Sequence, residues 1–180
     1  MIKPGSKTGA LIGLNDLMAT WADIAGIELS AKQAPDSVSF LAVLKDSGKS
    51  SRDALVTRGT RSDAFRDGDW KLIVGPGSGS SGSFYSEPKS EDAWKTAIAE
   101  FGRSPSNHKE LENPIFVQLF NLKNDPGETT DLSAENLDRF KKMLADYQKI
   151  IRDGRSTPGP RLQNDRDVKA FRPPAFVWKK

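Results

Sequence analysis

The chain has 180 residues, a formal net charge of +3 from 27 Lys and Arg against 24 Asp and Glu, and 36% hydrophobic residues, enough for one modest core. It has no cysteine and a single histidine, His108, which excludes disulfides, thiolate zinc sites, His-based metal clusters and any nucleophile made from cysteine. Mean hydropathy is -0.56, no apolar run approaches the length of a bilayer span, and Met1–Ser6 lacks the basic-then-apolar layout of a secretory signal.

The first predicted element is a helix over 15–25. Leu14, Leu17, Met18, Trp21, Ile24 and Ala25 share one helical face, Asn15 is placed as the N-cap and Gly26 as the left-handed stop. A connector without periodicity, Ala31–Asp36, leads to a short helical turn holding Phe40, Leu41 and Leu44, with Ser37 or Ser39 as its cap. The texture then changes to short strands: Ala54–Thr57, and Ala64–Arg66 with Trp70–Val74 flanking Asp67-Gly68, a dipeptide suited to a two-residue hairpin turn. Gly75–Gly82 reads as a flexible loop.

A helix over 91–101 follows, with Ala93, Trp94, Ala97, Ile98 and Phe101 as its apolar face, then a polar loop through His108. Phe116–Asn121 is predicted as a strand partly covered on both faces, and Asn124–Gly127 as a turn. The longest element is a helix over 133–153 whose stripe of Leu137, Phe140, Leu144, Tyr147 and Ile151 suits a helix lying on a sheet; Gly154 ends it. The stretch 155–180 is basic and proline-punctuated, and is expected to run extended over a surface.

The motifs that resemble active sites have simpler explanations. Gly77–Gly82 satisfies G-x-G-x-x-G literally, but no helix opens there to aim its N-terminus at a pyrophosphate. A Ser-His-Asp triad would have to use His108, which stands in a polar loop. The acidic residues at Asp67, Asp69, Asp125 and Glu128 fall at turns and lack the ligand count of a calcium loop. Phe171, Phe176 and Trp178 beside Arg172, Lys179 and Lys180 give a weak nucleic-acid pattern in the tail.

Four phrases, in this order, resemble type I sulfatases of the alkaline-phosphatase-like superfamily. Asp16–Gly26 is similar to D-L-x-P-T-x-x-x-x-A-G, with Ala19 where proline is commoner, and Asp36–Leu41 to the D-G-x-S-L stretch after it. Phe65–Ile73 is similar to the R-x-G-x-W-K-L hairpin, and Leu119–Leu132 to L-Y-D-L-x-x-D-P-x-E-x-x-N-L, the link from the last strand to the C-terminal helix. Asp153–Gly159 further resembles the ending of arylsulfatase A-like members.

The resemblance implies the C-terminal portion of such an enzyme: an α+β arrangement with a small antiparallel sheet and the long helix packed on it. Residues 1–50 would be a remnant of the N-terminal domain, 51–154 the C-terminal subdomain and 155–180 an extended basic tail. It implies calcium and a formylglycine, made from the cysteine of C-x-P-x-R, in a larger N-terminal domain. Intact relatives are often exported.

No cofactor is expected in these 180 residues, and the chain by itself is expected to be catalytically incompetent. The expected partners are the missing catalytic domain or a second copy, through apolar surface exposed on the helix around Leu17 and Trp21, and a sulfated substrate in the intact enzyme. Thr57, Arg58, Arg61 and His108 are the candidate substrate contacts; Thr57 and Arg58 stand where relatives place a histidine or asparagine facing the pocket. The other reading is a non-catalytic module that binds sulfated glycans or other polyanions through its basic loops and tail.

Overall fold

The computed structural model describes residues 2, 4–46, 49–59, 62–74 and 117–165. The expected loop over 75–82, the helix over 91–101, Phe116, Arg61, His108 and the tail from 166 onward lie outside the described residues. Two compact units are present: one is built from the described parts of 1–55 and 148–168, the other from those of 56–147 and 169–180.

In the first unit a 3-10 turn, Leu14–Asp16, leads into helix α1, Leu17–Ala25, which Gly26 ends at φ 67. Asn15 does not cap it. Gly13 takes the cap position of the 3-10 turn, and the Asp16 carboxylate reaches back to accept the Gly13 N–H at 2.8 Å. Asn15 instead donates from Nδ2 to the Asp36 carbonyl. A short helix α2, Leu41–Lys45, follows; the Ser39 hydroxyl accepts its first N–H from Leu41, while Ser37 accepts the Ala19 N–H at 2.9 Å. Proline at position 19 has no N–H to make that bond, so Ala19 is consistent with this local arrangement.

The Ala31–Asp36 connector is not loose. Pro35 carbonyl accepts from the Thr157 N–H and hydroxyl, Asp36 accepts the Ser156 N–H at 2.7 Å, and Ala31 carbonyl accepts from Arg155. The stretch just beyond Gly154, expected from composition to run over a surface, therefore folds against the connector with Arg155 buried.

The second unit is organised by a four-stranded antiparallel sheet in the order β1-β2-β3-β4: Ala54–Arg58, Asp63–Asp67, Trp70–Val74 and Val117–Asn121. The hairpin between β2 and β3 pairs Asp67 with Trp70, so its turn is Gly68-Asp69 rather than the expected Asp67-Gly68. Gly68 carries the positive φ, 57, at the first central position, which a II′ turn reserves for glycine. The one-residue shift keeps Phe65 opposite Leu72 and Leu72 opposite Leu119, a fully buried cross-strand row. On β4 Val117, Gln118, Leu119 and Phe120 are all buried, so both faces are covered as expected.

Helix α3, Leu137–Asp153, packs on the face that carries Phe65, Leu72 and Leu119. Two contacts fix it there. The Tyr147 hydroxyl donates to Asp63 Oδ2 at 2.6 Å, and the Arg139 guanidinium lies 5.1 Å from the Trp70 ring centroid. Its buried residues are Phe140, Met143, Leu144 and Tyr147; Met143 extends the expected stripe, and Leu137 and Ile151 are half-buried at its ends. The helix starts four residues later than expected because Ser133–Asn136 forms a turn, its N–H at Ser133 bonded to Asp131.

Gly154 ends α3 at φ 64, where a Cβ would collide with the Leu162 carbonyl. The last helical carbonyls then find donors in the returning chain: Ile151 from Asn164, Arg152 from Arg161 and Asp153 from the Leu162 N–H.

Candidate functional site

Of the four candidate contacts, the structure places Thr57 and Arg58, at the end of β1, both exposed. Adjacent strand residues project to opposite faces, so the two side chains diverge rather than converge on one ligand. Arg58 Nε lies 3.7 Å from Asp63 Oδ1, and the other Asp63 oxygen accepts the Tyr147 hydroxyl. The guanidinium is 43% exposed and the carboxylate 12%. An anion approaching Arg58 therefore meets a cation already paired with a buried, hydrogen-bonded carboxylate.

Asp16 was read from the sequence only as part of a motif, yet it is the hub of the first unit. Its side chain is 1% exposed and that of Arg52 5%, with Arg52 Nη2 2.5 Å from Asp16 Oδ1. Asp16 also accepts the N–H groups of Gly13 and Val38, and its carbonyl accepts the Thr20 hydroxyl, which in turn accepts the Phe40 N–H. Arg52 adds a bond to the Asp36 carbonyl. One buried ion pair thus joins α1, the connector and the approach to β1. Nothing in spacing announces a pair 36 residues apart.

The polar residues of the Leu119–Leu132 phrase are engaged in holding their own backbone. Asn121 accepts the Lys123 and Asn124 N–H groups, and Asp125 accepts those of Thr129 and Thr130 together with the Thr129 hydroxyl. Glu128 sits at φ 55 and pairs with Lys71 at 2.6 Å. Asp131 accepts the Leu119 N–H and Leu132 donates to the Leu119 carbonyl, so this return satisfies backbone groups of β4.

The Thr130 N–H first, with the Thr129 hydroxyl and N–H and the Gly127 N–H, holds the Asp125 carboxyl below its ordinary 3.8 against the opposing effect of burial. A carboxyl lowered in the folded state stabilises the turn above its ordinary value and loses that contribution as pH falls through the folded value. Titration of the Asp125 carboxyl by NMR is expected to give a midpoint below 3.8, with the Thr130 amide shifting in step, and Asp125→Asn is expected to abolish that amide titration.

Among the described residues no group of three or more His, Cys, Asp or Glu side chains is placed to hold a metal ion. The buried carboxylates have other partners: Asp16 with Arg52, and Asp63 with Tyr147 and Arg58. With no cysteine anywhere in the sequence, these residues fit neither a formylglycine nor a calcium centre. No helix of the described residues is long and apolar enough to cross a membrane.

Other features of the surface are concentrated. The large hydrophobic side chains left exposed among the described residues are Ile2, Ile12, Leu14, Met18, Trp21, Ile24 and Ile27, all at the start of the chain. Leu14 is 88% and Trp21 63% exposed.

No family model matches the sequence, and no curated protein matches it. Solved structures do match. One is a sulfatase of Bacteroides thetaiotaomicron from a core genetic locus for the metabolism of multiple glycosaminoglycans, with a TM-score of 0.54 at 21% identity over 83% of this chain and 26% of that one. Another is a Bacteroides sulfatase solved in complex with its substrate, D-glucosamine-2-N,6-O-disulfate, with a TM-score of 0.51 at 19% identity over 82% of this chain and 26% of that one. The chain spans about a quarter of the length of these structures, and its fold is that of a portion of them.

Proposed function

We propose that this chain is the C-terminal part of a sulfatase, a sulfuric ester hydrolase whose nucleophile and metal lie outside these 180 residues. The fold likeness to two sulfatase structures is the observation that carries the reading. The order of the resembling phrases along the chain supports it independently, and supports assigning residues 51–154 to the C-terminal subdomain and 1–50 to the neighbouring domain.

In such an enzyme the buried polar residues described here are structural. The Asp16–Arg52 pair and the Asp125 turn hold backbone, and no step of ester hydrolysis passes through them. Of the candidate contacts, Arg58 is the exposed cation among the described residues, and an anionic substrate would compete there with Asp63.

The 180-residue chain is accordingly expected to hydrolyse 4-nitrophenyl sulfate no faster than buffer does, with or without added calcium. Turnover that follows the purified chain through successive columns, and survives in a preparation shown free of host sulfatase, would overturn the proposal.

A further inference from the structure

We infer that residues 155–162 form a latch closed on a strained connector, and that opening the latch releases the Asp16–Arg52 hub in the same step. The latch is built from described residues of the first unit and does not depend on the proposed activity.

Arg155 is the bolt. It is 8% exposed, and four hydrogen bonds radiate from its guanidinium. Nε donates to the Thr157 carbonyl at 2.9 Å and Nη2 to the Thr157 hydroxyl at 3.0 Å. Nη1 donates to the Pro160 carbonyl at 3.0 Å and to the Ala31 carbonyl at 3.1 Å. Three of these acceptors belong to the loop and the fourth to the connector, so one side chain both shapes the loop and ties it down. All four are uncharged, and the fit is one of geometry: a planar fork reaches divergent oxygens that the single nitrogen of a lysine does not span. Gly159 lies against the guanidinium at φ 147, where a Cβ would overlap Cζ and both terminal nitrogens. The loop is shut behind Arg155 by the Leu162 N–H, which returns to the Asp153 carbonyl at 2.9 Å.

The connector is held in a form it would not keep alone. Ala34 stands at φ 46, a left-handed conformation that is costly for a residue with a Cβ and persists where the surroundings impose it. The next two residues take the grip. The Pro35 carbonyl accepts the Thr157 hydroxyl at 2.6 Å and the Thr157 N–H at 3.2 Å, and the Asp36 carboxylate accepts the Ser156 N–H at 2.7 Å. From the hub, the Asp36 carbonyl accepts Arg52 Nη2 at 2.8 Å, the same nitrogen that pairs with Asp16. Asp16 also accepts the Val38 N–H at 3.0 Å, two residues beyond Asp36. Latch and hub thus hold one residue, the first by its carboxylate and the second by its carbonyl. When Arg155 lets go, Ala34 relaxes, Asp36 shifts, and Arg52 loses an acceptor at the atom that binds Asp16. Segments coupled in this way open as one cooperative unit.

Hydrogen exchange of the full-length protein tests the coupling. It is read by mass spectrometry on peptides covering 10–45 and 154–165, with a peptide over 68–74 in the β2–β3 hairpin as reference. Arg155→Lys is expected to speed exchange in the first two peptides about tenfold or more, the effect of losing hydrogen bonds to a charged group, and to leave the reference unchanged. Gly159→Ala should act in the same direction without altering a bonding side chain. Ala34→Gly should slow exchange in both peptides, because glycine adopts that φ freely.

Acceleration confined to 154–165 would show that the latch opens by itself, and would overturn the inference. Unchanged exchange in both peptides, equal acceleration of all three, or faster exchange in Ala34→Gly would overturn it as well. If Arg155→Lys does not fold, Gly159→Ala and Ala34→Gly carry the same test with their opposite signs. None of these outcomes bears on the proposed function, which fails instead on turnover by the 180-residue chain.

Discussion

Asp16→Ala is expected to destabilise the unit that contains it by about 3–5 kcal/mol, the usual result of removing one partner from a buried ion pair. The loss is large because the side chains of Asp16 and Arg52 are 1% and 5% exposed, so alanine leaves a guanidinium in the interior without its counter-charge. The Gly13 and Val38 N–H groups lose their acceptor in the same step. Urea unfolding followed by far-ultraviolet circular dichroism measures the effect. The double variant Asp16→Ala with Arg52→Met should recover part of it, since no buried charge then remains. A single variant within about 0.5 kcal/mol of the parent, the range of ordinary surface changes, would show that the pair does not organise the unit.

Phe140→Ala is expected to cost about 3–5 kcal/mol in the sheet unit, as large-to-small changes of buried aromatic residues do. Phe140 is 1% exposed and lies on α3 between two residues anchored to one face of the sheet, Arg139 over Trp70 and Tyr147 on Asp63. Those anchors hold the helix at its place, so the site cannot collapse freely around the missing ring and a cavity remains. The check is again the urea midpoint, with Phe140→Leu as a milder companion that retains most of the volume. Equal midpoints for Phe140→Ala and the parent would mean that the helix is not held on the sheet by this residue.

These two results would divide the chain's stability between a polar hub in one unit and an apolar helix-on-sheet core in the other. The polar hub fixes which side of α1 faces inward.

The elements most legible in the sequence are those whose signal is local. Asp67-Gly68 with its flanking β-branched and aromatic residues identified the β2–β3 hairpin, and the stripe of Phe140, Leu144 and Tyr147 identified α3, because periodicity and turn chemistry act over a few residues. The resembling phrases were legible for a related reason. Asp125, Asp131, Asp16 and Thr20 hold backbone groups at fixed places, and such bonds demand particular residue types at particular spacings.

Other features depended on partners distant in sequence. Asp16 meets Arg52 across 36 residues and Asp63 meets Tyr147 across 84, and neither carboxylate carries a local sign of its mate. The turn register shifted by one residue because Phe65, Leu72 and Leu119 had to share one buried row, a demand set by the third strand rather than by the dipeptide. The candidate site behaved likewise: Thr57 and Arg58 are neighbours in sequence, but the pleat sends them apart, and Asp63 is drawn to Arg58 by strand order. The sequence by itself determined the absence of a cysteine nucleophile, the hairpin, the long helix and the resemblance to sulfatases. The tertiary structure decided which charges are buried together and which face of α1 is exposed, because burial and pairing are properties of residues brought together by the fold.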